Sequence, residues 1–216
     1  MSETSTLVTA EHFRYVAEHT TQEDDFLRRL KEDARAVGLP AIWIAPEQAS
    51  FMQVLLKLCK AMEVVEVGTL AGYSAIRMAR ALPQGGHVRT IEVSGKHADF
   101  AERWIAQSDV VDRITIYRGA GKDILRKFKS DSADAVFLDA DSPNYSLYLR
   151  ESLRIARSGG LVMVDNAFGY GRLFDRGAMD AGVVSIRQFN DLMAGEHSLT
   201  GTIVPLGDGL WVAVKE

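Results

Sequence analysis

The chain has 216 residues, of which 47% are hydrophobic and 25% charged, and its net charge at pH 7 is −4. This length suits a single α/β domain with a full core and is short for two independent domains. The acidic balance argues against nucleic acid as the main partner, because phosphate binding favours a basic surface.

The sequence contains no recognisable targeting or anchoring segment. No apolar run approaches the roughly 18 residues that a membrane span needs, and the first residues have neither the basic nor the apolar region of a signal peptide. The single cysteine, Cys59, excludes an internal disulfide and a zinc site built on thiolates. We therefore expect a cytoplasmic, reducing location and no membrane partner.

Residues 11–60 are predicted to form helices that precede a sheet. The first strong amphipathic pattern ends at Gly38 and Pro40. Pro46 begins a further helix, and Cys59 belongs to its apolar face. We interpret that face, and the cysteine within it, as core packing.

From residue 61 onward, predicted strands and helices alternate. The strands are 64–67, 88–93, 114–117, 135–138 and 161–164, and the helices between them are 74–81, 96–107, 123–129 and 145–157. Such alternation is typical of parallel strands with right-handed crossovers and helices on both faces. After about residue 198, runs 199–204 and 210–214 flank Gly207-Asp208-Gly209 and predict an antiparallel hairpin. The fold class is therefore α/β, with residues 1–60 as a helical extension and residues 61–216 as the Rossmann-like core of one domain.

The stretch VVEVGTLAGYS, residues 64–74, indicates a buried strand that leads through a glycine turn into a helix. Ligands of open α/β sheets bind at such turns, and Gly68 and Gly72 would let the backbone approach a ligand without Cβ clashes. Leu70 stands where a dinucleotide fingerprint has its middle glycine, so a pyrophosphate cradle is not predicted. Glu66, just before the turn, would repel phosphate and favour a cationic group.

A second carboxylate, Glu92, follows Gly72 by 20 residues. This is the offset at which an acid binds ribose hydroxyls in such folds. A ribose with a cationic tail and no phosphate describes S-adenosylmethionine. The alternative is an ordinary strand–turn–helix in which both acids are structural.

Oxygen-bearing side chains follow the fourth and fifth predicted strands. Asp139 ends the fourth strand, and Asp165 with Asn166 ends the fifth. Parallel strands bring their carboxyl ends to one edge, and neighbouring strands lie roughly 4.8 Å apart. Three hard oxygen ligands favour Mg²⁺, Ca²⁺ or Mn²⁺, so these residues are the predicted metal ligands. Taken singly, the acids have structural alternatives, because Asp141 or Ser142 could cap the next helix and Asp165-Asn166 could form a turn.

Five stretches carry a family resemblance, namely EVGTLAGYSA, RTIEVS, FLDADSPNY, GGLVMVDN and LGDG. By their order and spacing over about residues 44–216, the chain resembles the cation-dependent class I O-methyltransferases, the group that contains catechol O-methyltransferase and caffeoyl-CoA O-methyltransferase. The resemblance implies a seven-stranded sheet with an antiparallel last strand and methyl transfer from S-adenosylmethionine to a hydroxyl. Family members are commonly homodimers, and the N-terminal helices would be the natural interface.

The resemblance also implies roles for individual residues. Glu66, Gly68 and Ser74 would hold the methionine part of the cofactor, Glu92 its ribose and Asp141 its amine. Beside the adenine the family often has an acid followed by alanine, where this chain has alanine and glycine. The cofactor-binding candidates are Glu66, Gly68, Thr69, Gly72, Ser74, Glu92, Gly121 and Asp141.

One departure from the family bears on catalysis. The family usually has a lysine after the D-A-D triplet, taken to act as general base, and this chain has Ser142. Three readings follow. The cation alone acidifies the acceptor; another group such as Tyr170, Arg172 or Asp175 replaces the lysine; or the chain binds the cofactor without turnover.

The expected acceptor is a small catechol-like phenol, because a vicinal diol chelates a hard cation well. Its pocket is predicted to form from residues 167–180 and the N-terminal helices, with Phe168, Tyr170 and Phe174 available to stack on a ring. Rival hypotheses are an NAD-dependent dehydrogenase, which lacks its middle glycine here, and a nucleoside methyltransferase, which lacks a basic track.

Overall fold

The computed structural model describes residues 7–140, 144–175 and 177–216. Three helices precede the sheet: α1 (Ala10–His19), α2 (Asp25–Ala36) and α3 (Pro46–Leu58). The Asp24 side chain caps α2 by accepting the N–H of Leu27 at 2.9 Å. Gly38 follows that helix with φ at +72°, and α3 has Pro46 in its first turn, as the sequence predicted.

Strands and helices then alternate along the chain. They are β1 (Glu63–Val67), α4 (Tyr73–Ala81), β2 (His87–Glu92), α5 (Gly95–Ile105), β3 (Ile114–Arg118), α6 (Gly121–Ile124), β4 (Ala133–Leu138), α7 (Tyr145–Ile155), β5 (Ala156–Val164), α8 (Ala181–Gly195), β6 (Leu199–Val204) and β7 (Leu210–Lys215). The strand order is β3-β2-β1-β4-β5-β7-β6, and β7 runs antiparallel to both of its neighbours. The predicted seven-stranded, mostly parallel sheet with an antiparallel last strand is confirmed.

Two predicted elements differ from the structure by more than two residues in extent. The helix predicted over 123–129 is the four-residue α6 followed by a 3₁₀ turn, Leu125–Lys127. Arg154 explains the early end, because its guanidinium donates to the carbonyl oxygens of Leu125 and Phe128 at 2.9 and 2.8 Å. Strand β5 begins five residues before the predicted 161, so the glycines expected to precede it lie inside it, next to a register shift on β4.

Apolar side chains fill both faces of the sheet. On one face α2, α3, α4 and α5 pack against the strands, and the partly buried Cys59 contacts this cluster, as its position in an apolar helix face indicated. On the other face the core includes residues of α6, α7 and α8. Helix α1 buries none of its residues. Within the described residues, we find no helix both long and apolar enough to cross a lipid bilayer.

The parallel register brings five strand ends to one edge. Val67 pairs with Leu138 and Ile91, and Leu138 pairs with Val164. The residues that follow these strands are therefore neighbours in space. Ligands of open α/β sheets bind at this edge.

Candidate functional site

The glycine turn after β1 is packed tightly against the end of β4. Gly68 has φ at +102°, and a Cβ added there would overlap the carbonyl oxygen of Asp139. Gly72 precedes α4 with φ at +85°, and a Cβ there would meet Ala101 and Ile105 of α5 at 3.4 and 3.5 Å. Close packing therefore requires glycine at position 68, whereas at position 72 the contacts are of ordinary van der Waals length and the positive φ is what favours glycine.

Glu66 is completely buried at the end of β1. The hydroxyl of Ser74, in the first turn of α4, donates to one carboxylate oxygen. The other oxygen is buried and has no hydrogen-bond partner among the residues that the structure describes. Burial, with a smaller contribution from the charge of Glu92, raises the pKa of Glu66 to about 7, although hydrogen bonds with Ser74 and Thr90 act in the opposite direction. This orphaned oxygen fits a cationic or hydrogen-bond-donating ligand group.

Glu92 holds the glycine turn in place. Its carboxylate accepts the backbone N–H groups of Thr69 at 3.2 Å, Leu70 at 2.8 Å and Ser94 at 2.8 Å. The Thr69 hydroxyl lies 2.6 Å from that of Thr90. Glu92 thus has a structural role, as the alternative interpretation of the sequence proposed. The same side chain also borders the cavity described next.

A cavity of about 580 Å³ lies at the carboxyl ends of β1 to β4. Its volume falls within the range of small-molecule and cofactor sites, roughly 300–1,000 Å³. Four predicted site residues line it, namely Gly68, Glu92, Gly121 and Asp139. Thr69 and Ser74 line a small adjoining cavity together with Trp43, and Gly68 and Asp139 border both.

Gly121 begins α6 in a position with no room for a side chain. A Cβ there would lie 2.8 Å from the Val67 side chain and 3.0 Å from the Tyr148 ring. Gly72 faces α5 and lies outside the lining of both cavities. Asp141 and Ser142 lie outside the described residues.

The two predicted metal-binding carboxylates lie on adjacent strand ends. Asp139 donates its N–H to the Val67 carbonyl at 2.9 Å, and Asp165 donates its N–H to the Leu138 carbonyl at 2.9 Å. Burial, followed by the charges of Asp165 and Glu66, raises the pKa of Asp139 well above its usual range. Burial raises the pKa of Asp165 to about 6. Carboxylates brought together in this way take up either a proton or a cation.

Sequence reasoning missed two side chains that support this site. Gln48 of α3 is buried, and its amide donates to Asp165 at 2.6 Å. Asp208 of the β6–β7 turn accepts the Asn166 side-chain amide at 3.4 Å and the Tyr170 N–H at 2.6 Å. Asp208 stands in the L-G-D-G stretch, which was a motif without an assigned role, and Gln48 carried no local signal.

The side chains at these strand ends can be compared with the ligands that a hard cation requires. Within the described residues, no three His, Cys, Asp or Glu side chains form a cluster that could hold a metal. The predicted metal-ligand set differs from such a cluster, because it contains only two carboxylates, those of Asp139 and Asp165. Its third ligand is the side-chain amide of Asn166. These are the oxygen donors that Mg²⁺ and Ca²⁺ prefer, and the raised pKa of each carboxyl fits a bound positive charge.

Comparison with known proteins identifies the fold and then the family. The O-methyltransferase from Bacillus cereus, solved in complex with S-adenosylhomocysteine, superposes with a TM-score of 0.86 at 33% identity, covering 94% of this chain and 96% of that one. TomG from Streptomyces achromogenes, an O-methyltransferase of tomaymycin synthesis solved with S-adenosylmethionine, has a TM-score of 0.85 at 30% identity, over 95% and 96% of the two chains. The architecture is therefore that of the Rossmann-like methyltransferases.

Sequence comparison narrows this class to a family. The profile described as O-methyltransferase matches residues 17–216. A catechol O-methyltransferase from Niastella koreensis is 36% identical over 205 residues, which cover 94% of this chain and 90% of that protein. The chain belongs to the O-methyltransferase family, so the predicted family and enzyme class are confirmed. The binding roles assigned to individual residues stay predictions.

Proposed function

We propose that this enzyme transfers the methyl group of S-adenosylmethionine to a hydroxyl of a small, catechol-like aromatic acceptor in the presence of a divalent cation. The observation that carries the proposal is the placement of Asp139. It borders the large cavity, and its carboxylate lies beside that of Asp165 on the next strand.

Several features support the cofactor. The large cavity has an acid, Glu92, at its border. Near it lies the buried Glu66, whose orphaned oxygen is suited to the methionine part of the cofactor. Two family members of similar structure were solved with S-adenosylhomocysteine and S-adenosylmethionine. A methyl donor in this cavity would have its sulfonium end near Asp139.

The cation would be held by Asp139, Asp165 and Asn166. When bound, such a cation lowers the pKa of a coordinated hydroxyl and orients it, which is the chemistry that a chain with Ser142 in place of lysine needs. Gln48 orients Asp165 and Asp208 orients Asn166, and supporting contacts of this kind fix a metal ligand in its binding geometry. Most of the acceleration would come from alignment of acceptor oxygen, methyl carbon and sulfur.

The acceptor class follows from the ligand set. Two carboxylates and an amide, each binding through one oxygen, would leave three positions on a six-coordinate cation, enough for two acceptor oxygens and one water. A catechol supplies two adjacent oxygens, and the relative from Niastella koreensis carries the name catechol O-methyltransferase. A phenolic acceptor, a homodimeric assembly and a cytoplasmic location stay predictions.

The test is a methyl-transfer assay with S-adenosylmethionine and a panel of catechols, with Mg²⁺ and with saturating EDTA. We expect activity that is lost in EDTA and restored by Mg²⁺. Asp165→Ala should lower kcat/KM by about 100-fold or more and leave the affinity for S-adenosylhomocysteine within about threefold.

Asp131→Ala is the control, because Asp131 is exposed and pairs with Lys215 at 3.0 Å near the opposite edge of the sheet. It should leave kcat/KM and cofactor affinity unchanged. Methyl transfer that survives saturating EDTA would contradict the metal assignment. Cofactor binding without transfer to any acceptor would identify a binding protein.

A further inference from the structure

Tyr170 occupies an unusual backbone position in the loop after β5. Its φ is +56°, and the glycines on either side, Gly169 and Gly171, have φ at +57° and +75°. Three consecutive residues thus lie in the left-handed region, which a bulky aromatic residue rarely adopts. A residue held in such a conformation is a candidate for a functional role, because the surrounding structure must enforce it.

The β6–β7 turn enforces this conformation. The Asp208 carboxylate accepts the Tyr170 N–H at 2.6 Å. The N–H groups of Ala167 and Phe168 donate to the carbonyl oxygens of Gly209 and Asp208 at 2.9 and 2.8 Å. The loop is therefore fixed to the hairpin through the N–H groups of three of its residues.

Tyr170 shares a hydrogen-bond partner with a predicted metal ligand, because the Asp208 carboxylate that accepts its N–H also accepts the side-chain amide of Asn166 at 3.4 Å. Tyr170 is 65% exposed, so it is accessible to a ligand. Burial raises the pKa of Tyr170, and the charges of Asp139, Asp165 and Asp208 raise it further, while a hydrogen bond from Asn166 acts in the opposite direction. The hydroxyl is thus neutral, near these acids, and available as a hydrogen-bond donor.

The two other loop residues considered as replacements for the family lysine have different partners. Arg172 pairs with Asp180 at 2.6 Å. The Asp175 carboxylate accepts the N–H of Gly177 at 2.9 Å in a local turn. Of these three residues, Tyr170 is the one shown to share a hydrogen-bond partner, Asp208, with a predicted metal ligand.

We propose that Tyr170 is a specificity-determining residue for the acceptor: its hydroxyl hydrogen-bonds the acceptor oxygen that is not methylated, and its ring forms one wall of the acceptor pocket. This inference rests on the proposed function. An acceptor with two adjacent oxygens can present either of them to the methyl group. A donor fixed at one side of the site by Asp208 selects between these two orientations.

The test uses 3,4-dihydroxybenzoate, whose two possible methyl ethers are separable by chromatography. The variants are Tyr170→Phe, which removes the hydroxyl alone, and Tyr170→Gly, which removes the ring and suits the left-handed backbone. Tyr117→Phe is the control, because it removes a tyrosine hydroxyl on β3, which β2 and β1 separate from the strands that end in the predicted metal ligands. The affinity for 4-nitrocatechol, measured with Mg²⁺ and S-adenosylhomocysteine present, gives a readout that does not require turnover.

For Tyr170→Phe we expect a KM for the acceptor about tenfold higher, as for the loss of one hydrogen bond, with kcat within about threefold. The ratio of the two methyl ethers should move toward unity by about threefold or more, and Tyr170→Gly should move it further. Melting temperature and S-adenosylhomocysteine affinity should not change, and the control should behave as wild type.

Two results would overturn the inference. If wild type is active but neither variant changes the product ratio, the KM or the 4-nitrocatechol affinity, Tyr170 has no role in acceptor selection while the proposed function stands. If wild-type protein neither binds nor methylates any catechol, the proposed acceptor class is wrong and this inference is wrong with it.

Discussion

The two halves of the ligand-binding edge are built in different ways. On the half formed by β1 and β2, the contacts join residues close in sequence: Ser74 to Glu66 across 8 positions and Leu70 to Glu92 across 22. On the half formed by β4 and β5, they join distant segments: Gln48 to Asp165 across 117 positions and Tyr170 to Asp208 across 38. One half is a single strand–helix–strand unit, whereas the other is assembled from three parts of the chain.

The halves also differ in exposure. Glu66 and Thr69 are almost completely inaccessible to solvent. On the second half Asp165 is also buried, but the loop that follows it is open, with Tyr170 and Phe174 65% and 68% exposed. The half formed by β1 and β2 is buried and built from residues close in sequence, which suits the binding of one cofactor that does not vary. An exposed loop on a rigid support is suited to acceptors that differ from one enzyme to the next. The comparison predicts that changes on the first half alter folding stability most, and changes on the second alter ligand affinity.

The largest effect is expected where the two halves touch. Gly68→Ala places a Cβ against the Asp139 carbonyl oxygen at a φ of +102°. The unfavourable φ and the overlap together should reduce the free energy of unfolding by about 4 kcal/mol or more. Thermal unfolding should show a melting temperature lower by roughly 10 °C, or the variant should fail to fold.

Gly171→Ala is the matched control. Gly171 also has a positive φ, at +75°, but a Cβ there would meet nothing within 4 Å. Gly171→Ala should reduce the free energy of unfolding by only about 1 kcal/mol, which lowers the melting temperature by roughly 2–4 °C. If the two alanine variants lose equal free energy of unfolding, the close approach of Gly68 to Asp139 does not add to the destabilisation.

The different sequence separation of the contacts on the two halves explains which features of the site could be predicted from the sequence. The strand–turn–helix around Gly68 could be predicted from alternation and glycine spacing, because Glu66, Ser74 and Glu92 belong to consecutive elements of the chain. The pairing of Asp139 with Asp165 also follows, since adjacent parallel strands end at one edge. The contributions of Gln48 and Asp208 depend on how α3 and the β6–β7 turn pack against β5, and no local pattern encodes that packing. The short α6 likewise depends on Arg154, 26 residues beyond Phe128.

A second prediction concerns the pH dependence of stability and Glu66. Its pKa is about 7 in the folded protein against an ordinary value of 4.5, because the group is buried. Between these values the folded state binds more protons than the unfolded state, so stability is full below pH 4.5 and falls as pH rises through 7. The shift corresponds to about 3 kcal/mol once Glu66 is fully ionised.

Glu66→Gln removes this titration and keeps an oxygen that can accept the Ser74 hydroxyl. Denaturant unfolding without metal or cofactor should therefore give a variant whose stability relative to wild type increases from pH 5 to pH 8. The other buried carboxyls are present in both proteins, so their contribution largely cancels in the difference. A difference that is constant over this range would mean that Glu66 does not titrate there.

The smallest predicted effect concerns Gln48, which contacts the half formed by β4 and β5 from a distant part of the sequence. Gln48→Met removes the amide that donates to Asp165 at 2.6 Å but keeps the length of the side chain. Because an oriented ligand binds a cation more tightly, the apparent affinity for Mg²⁺ in the methyl-transfer assay should fall by about tenfold. Gln53→Met is the control on the same helix, since Gln53 donates at 2.6 Å to the carbonyl oxygen of Arg77, away from the strand ends. Both variants lose one hydrogen bond, so their melting temperatures should change by similar amounts. If the Mg²⁺ affinity also falls equally in both, the effect is one of helix packing and Gln48 does not orient Asp165.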